Sequence, residues 1–194
     1  MSTLVTDIPY TTIGWFFDLA AAQAVARKER KPILIDVYQD DCGGCDRLDD
    51  ESFRDPVVIA EVSARFVPLK LDLFKDRAFT REQQVWWTPT ILIADHSGRV
   101  RYSSINFVPA AELLDILDIG EGLAAMRWKG YDKAIALFMD VEARRPDGPM
   151  TAEAIYWRGM AEYFRQGRSA AASRDVWAAI QERFPDSIWA KRQP

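Results

Sequence analysis

Cys42 and Cys45 are the only two cysteines in 194 residues, and only Gly43 and Gly44 separate them. Two cysteines are too few for a disulfide-stapled scaffold, so a pair this close points to redox or metal chemistry instead. The run before it, Ile33-Leu34-Ile35-Asp36-Val37-Tyr38, is apolar and β-branched, as in a buried strand, and the run after it opens like a helix. A thiol at such a strand-to-helix turn lies near helix N-terminal amides, whose positive partial charge favours the thiolate. The second thiol is close enough to close a disulfide with the first. A zinc site would need four ligands. The only histidine, His96, falls in a predicted hairpin turn, so no metal site is expected. Haem attachment would want a histidine after the second cysteine, and Asp46 stands there.

The rest of the chain alternates helices and strands around this turn. Residues 1–13 read as irregular. Trp15, Leu19, Ala22 and Ala26 recur at helical spacing toward a basic end stopped by Pro32. After the cysteines, residues 44–52 read as a short helix, and Asp55-Pro56 opens another. Residues 66–72 form a second strand, 76–85 a helix and 90–94 a third strand. A turn at 95–98 leads into a fourth strand at 99–103, and Pro109 opens a helix to about Leu117. The order α-β-α-β-α-β-β-α predicts an α/β fold.

Beyond Gly120 strand signals vanish. Gly122, Tyr131, Ala134, Phe138 and Pro146 fall 39 residues before Ala161, Ala170, Ser173, Trp177 and Pro185. Each copy reads as two helices and a proline, so a separate helical unit is expected. The expected division is 1–118 and 119–194. The first part is acidic and the second slightly basic, within a net charge of −4. That balance argues against nucleic acid as a partner. No stretch approaches the ~20 apolar residues of a membrane span. The N-terminus lacks a basic region followed by an apolar one, so the expected location is cytoplasmic, or periplasmic if a leader has been removed.

Residues 15–117 resemble the thioredoxin superfamily, in its thioredoxin-like branch with an extra Trp-bearing N-terminal helix. The resemblance rests on Trp15 with Lys31-Pro32, the strand Ile33–Tyr38, Cys42-Gly43-Gly44-Cys45, Phe66-Val67 leading to Lys70-Leu71-Asp72, and Thr88-Pro89-Thr90. It implies a central four- to five-stranded mixed sheet flanked by helices, with redox-active Cys42 and Cys45. It also implies that Asp36, six residues before the first cysteine, helps move protons at Cys45. Pro89 would be the cis proline facing the disulfide. Thr88 before it would pair with an extended substrate, with Trp87 lining the groove. The second half is similar to degenerate tetratricopeptide repeats, which implies a protein-binding surface. Two copies are fewer than a free-standing array needs, so the unit is expected to pack on the redox domain, a partner or another copy.

The chain departs from thioredoxin where Asp41 replaces the usual tryptophan, Gly44 the usual proline and Asp46 the common lysine. Asp41 is a candidate N-cap, and the glycines leave the turn flexible. Asp40, Asp41, Asp46, Asp49, Asp50 and Glu51 surround the thiols, and nearby negative charge disfavours a thiolate.

The function these residues imply is thiol–disulfide exchange, with Cys42, expected to be exposed at the turn, attacking and Cys45 resolving. The only redox group expected is the Cys42–Cys45 couple. Expected partners are an oxidised client protein and an upstream donor such as a thioredoxin reductase-like system. The helical repeats add a chaperone or self-association. The alternative is a redox-regulated holdase or adaptor with little turnover.

Overall fold

The computed structural model describes residues 12–192; the irregular segment expected at 1–13 lies almost wholly outside them. The chain forms α1 (Leu19–Glu29), β1 (Ile33–Tyr38), α2 (Gly43–Arg47), α3 (Pro56–Arg65), β2 (Val67–Asp72), α4 (Arg77–Glu82), β3 (Thr90–Ala94) and β4 (Val100–Ile105). Five helices follow: α5 (Ala110–Arg127), α6 (Tyr131–Arg144), α7 (Thr151–Arg165), α8 (Ala170–Arg183) and the short α9 (Ile188–Lys191).

The four strands make one mixed sheet in the order β2-β1-β3-β4. β1 runs parallel to β2 and antiparallel to β3, which pairs antiparallel with β4. β1 is central, so its residues are covered on both faces. Ile33, Ile35 and Val37 point to the layer holding Ala22 and Ala26 of α1 and Leu69 and Leu71 of β2. Leu34 points to the opposite layer, with Val58 and Val62 of α3 and Leu113, Ile116 and Leu117 of α5. This is the thioredoxin-like arrangement, followed by a helical region.

Helix starts follow local chemistry. Asp18 accepts from the Ala21 amide at 2.6 Å, so α1 begins at Leu19 and not at Trp15. Trp15 instead packs edge-on against Phe53 at 4.9 Å. Its neighbour Phe16 pairs by backbone with β2, donating to Pro68 and accepting from Lys70. Asp55 caps α3 through the amides of Val57 and Val58, with Pro56 in the first turn where its missing N–H costs nothing. After α2 the chain continues as a π-helical turn over Leu48–Ser52, not the single regular helix expected.

α5 runs through residue 118 without a break, so the expected division falls inside a helix. Its middle is buried on all sides, including Asp115, Asp118 and Glu121. Their carboxylates meet Arg65 of α3, Lys133 and Arg144 of α6, and Arg145 just beyond its end. Arg65 bonds Glu61 at 2.7 Å, Asp118 at 2.6 Å and Glu121 at 2.5 Å. Arg144 bonds Asp115 at 2.7 Å and also Asp118, Arg145 bonds Asp115, and Lys133 bonds Glu121 at 2.6 Å. One ionic network therefore spans both halves of the chain.

Helices α5 to α8 pack consecutively, each against the next. A Cβ built on Gly122 would lie 2.5 Å from the Phe138 ring, and one on Gly159 would lie 2.2 Å from Trp177. Each helix pair thus closes by setting an aromatic ring against a glycine. In the second pair that glycine is Gly159, two residues before the Ala161 expected from the sequence offset; Ala161 is nonetheless fully buried.

Candidate active site

β1 delivers the chain to the cysteines at one end of the sheet. Asp41 turns the chain in the left-handed region at φ 56°, so it does not cap the helix. Cys42 is the N-cap of α2, and its Sγ accepts from the Cys45 amide at 3.2 Å. Cys42 and Cys45 form a disulfide, with their Cα atoms 5.2 Å apart. The two residues are almost equally covered, at 8% and 6% exposed, against the expectation of an open first cysteine. What separates them is a cavity of about 410 Å³ at the turn, which Cys42 lines together with Gly43, Phe74, Trp86, Trp87 and Thr88. Cys45 does not line it.

The loop facing the disulfide enters β3. The Thr88–Pro89 peptide is cis. The Thr88 hydroxyl donates to Cys42 Sγ at 3.4 Å. The Thr90 hydroxyl donates to the Trp87 carbonyl at 2.8 Å, and the Asn106 amide to the Pro89 carbonyl at 2.9 Å. A Cβ on Gly44 would meet Pro89 Cδ at 2.9 Å. Gly44 is therefore pressed against the proline ring within the first turn of α2, rather than leaving a loose loop. Sequence-predicted Thr88, Pro89 and Trp87 all lie at this site.

Asp36 sits on the same strand as the turn, opposite Lys70 of β2 and Ile91 of β3. It is buried, and Lys70 Nζ stands 3.2 Å from one of its oxygens. The other oxygen, Oδ1, has no hydrogen-bond partner among the described residues. Burial pushes the Asp36 carboxyl up to about 6; Lys70 opposes this and Asp49 adds to it. Lys70 also bonds Asp49 of the π-helical turn. Burial pulls the Lys70 ammonium down, but the two carboxylates outweigh it and raise it. The rings of Trp15, Tyr38 and Phe53 lie 5.3, 5.4 and 5.7 Å from its nitrogen, within cation–π range.

Lys70 and Asp49 escaped the sequence reading as site residues. The available signal was register: Lys70 is the polar interruption of β2, at the level of the polar interruption of β1. Asp49 carried no signal, because only the π-helical turn brings it round to Lys70. His96 lies in the expected turn beyond the far end of β3, half-buried and stacked on Trp128 at 4.5 Å. Among the described residues no cluster of His, Cys, Asp and Glu could hold a metal ion.

Residues 19–120, just over half of the chain, match the family model of the thioredoxin-like domain. The chain belongs to the thioredoxin-like domain family. Two curated relatives, both thiol:disulfide interchange proteins DsbD of Vibrio vulnificus, are 30% identical over 119 residues (strain CMCP6) and 33% identical over 116 (strain YJ016). These matches cover 58% and 57% of this chain but only 20% and 19% of the relatives, so it spans about a fifth of their length. The solved structure of a DsbH oxidoreductase aligns with a TM-score of 0.50 at 14% identity, covering 61% of this chain and 92% of that one, a likeness of fold. None of these relatives supports the cytoplasmic expectation. Among the described residues no helix is long and apolar enough to cross a membrane.

Proposed function

We propose that the protein is a thiol–disulfide oxidoreductase that reduces disulfides of protein clients. The observation that carries this reading is the Cys42–Cys45 pair set beneath Thr88–Pro89, with Cys42 alone of the two opening on the cavity. In the reduced protein the Cys42 thiolate attacks one sulfur of a client disulfide. A Cys42–client bond forms, the client S–S bond breaks, and the other client sulfur leaves as a thiolate that takes up a proton. The Cys45 thiolate then attacks Cys42 Sγ and releases the second client thiol. Two electrons have moved to the client, and Cys42–Cys45 is left as a disulfide, to be re-reduced by a dithiol donor. The scheme uses no cofactor beyond this couple.

Chain geometry supports the roles. The Cys45 amide and the Thr88 hydroxyl both donate to Cys42 Sγ, which stabilises negative charge on that sulfur. Asp36, with its carboxyl lifted to about 6, is placed to exchange a proton near neutral pH behind the pair. The acidic side chains on the turn act in the opposite sense and temper the thiolate. Kinship with proteins named for thiol:disulfide interchange favours a compartment where disulfides form, such as the periplasm, over the cytoplasm. Helices α5 to α8 are assigned a tetratricopeptide-like role in recruiting protein partners, in keeping with their stacked pairs.

The test is reduction of insulin disulfides by a dithiol donor, with the wild type and Cys42→Ser. Turnover by the wild type and none by the variant is expected. No turnover by either, with suppression of client aggregation by both, would replace the enzyme with a holdase.

A further inference from the structure

Phe74, Trp86 and Trp87 are 58%, 73% and 52% exposed, and all three line the cavity on which Cys42 opens. Large aromatics gathered at one exposed site mark an interaction surface rather than chance exposure. A second cavity, about 300 Å³, adjoins the first. The two share Leu73, Phe74 and Trp86. Leu73 is buried and floors both, while Phe74 and Trp86 stand up as a ridge between them.

The chemistry changes across that ridge. The second cavity is lined by Arg77 and Arg81, four residues apart and so on one face of α4. The Arg77 Nε donates to the Phe74 carbonyl at 3.1 Å, which ties its guanidinium to the ridge. Neither arginine has an ion-pair partner among the described residues. The cysteine turn itself carries Asp40, Asp41 and Asp46. The groove is thus aromatic beside Cys42 and cationic at its far end, with the exposed Asp41 and Asp46 flanking the thiols and Asp40 set 4.0 Å from Lys75.

We infer that this two-cavity groove selects extended protein segments carrying an apolar residue and then an acidic one beside the reactive cysteine. The inference rests on the proposed reductase activity and names its client class. The apolar residue covers Phe74 and Trp86, and the carboxylate meets Arg77 and Arg81, which are suited to bidentate pairing. The aspartates at the turn repel the same carboxylate, so the segment is held in one direction.

The experiment measures kcat/KM of the full chain on peptides joined by a disulfide to a quenched fluorophore. Each has leucine next to the cysteine, with Asp, Asn or Lys scanned over the following residues. At one position the Asp peptide is expected to exceed the Lys peptide about fivefold, the scale of about 1 kcal/mol for exposed ion pairs. Salt shrinks that ratio, Arg77→Gln with Arg81→Gln brings it to unity, and Arg77→Glu with Arg81→Glu inverts it. An Asp-to-Lys ratio near unity at every position in the wild type overturns the inference, as does a ratio that survives the double substitution or rising salt. The reductase reading itself is checked with a small aromatic disulfide. If the wild type reduces neither it nor any peptide, both fall; if it reduces both without charge preference, only the groove inference falls.

Discussion

Replacing Asp36 with asparagine removes a carboxylate that the fold raises from 3.8 to about 6. The gap is about two pH units, and each unit is worth 1.36 kcal/mol, so ionised Asp36 costs the native state about 3 kcal/mol at pH 8. Its sign follows from proton counts. Between pH 4 and 6 the native chain holds this proton more tightly than the unfolded chain does, so stability falls as pH rises through the window. Below about pH 4 the carboxyl is protonated in both states and the cost vanishes. Asparagine carries no charge at any pH but takes one counter-charge from Lys70, which keeps Asp49. The expected net gain is therefore about 1–3 kcal/mol at pH 8, shrinking toward pH 4. Urea melts of the oxidised wild type and Asp36→Asn across this range measure it, and their difference isolates the one group. A difference that stays flat with pH, or that turns against the variant as pH rises, refutes the reasoning.

Other substitutions probe the site and its support. In reduced protein, Asp36→Asn is expected to slow release of the Cys42–client intermediate near neutral pH, measured by acid-quenched time courses. Gly44→Ala sets helix propensity, worth about 0.5–1 kcal/mol in favour, against overpacking on the Pro89 ring, worth about 1–3 kcal/mol against. Overpacking wins, so a lower urea midpoint of the oxidised form is expected, with slower insulin reduction. Arg65→Ala strips one cation from Asp118 and Glu121, which are buried, and leaves them Arg144 and Lys133. Part of the ~3–5 kcal/mol for a broken buried pair is expected, so a loss of about 2 kcal/mol read as one cooperative melt of both halves. Separate transitions for the two halves would contradict a network that joins them.

Much of this was legible in the chain, and the failures have physical causes. The strands were readable because β1 and β3 are buried on both faces, which writes a mainly apolar run between turn residues, broken in β1 only by Asp36. The start of α1 was misplaced because Trp15 continues the helical spacing by coincidence, while the Asp18 cap decides where the helix begins. The end of α5 was placed near Leu117 because the chain turns repeat-like just beyond it. Burial of Ile119, Gly120 and Gly122 carries the same helix on to Arg127. Local signals mark a change of composition, and here the change occurs within one element.

The site divided in the same way. Cys42, Cys45, Asp36, Thr88, Pro89 and Trp87 were named from spacing and resemblance, and the fold gathers all but Asp36 around one turn, with Asp36 on the strand behind. The carboxylate–ammonium–carboxylate chain through Lys70 was not legible, since it depends on strand register and on an irregular turn. Nor was the groove toward Arg77 and Arg81, because neither arginine belongs to a motif and only the fold sets their cavity beside the one at the cysteines.

The central claim is that Cys42 attacks and Cys45 resolves. Cys45→Ser blocks resolution, so the variant, reduced and then exposed to oxidised clients, should hold them in mixed disulfides that a reductant releases on gels. Mixed disulfides that form with Cys45→Ser and vanish with Cys42→Ser are the expected result. Clients trapped instead by Cys42→Ser, or by neither variant, would contradict the account.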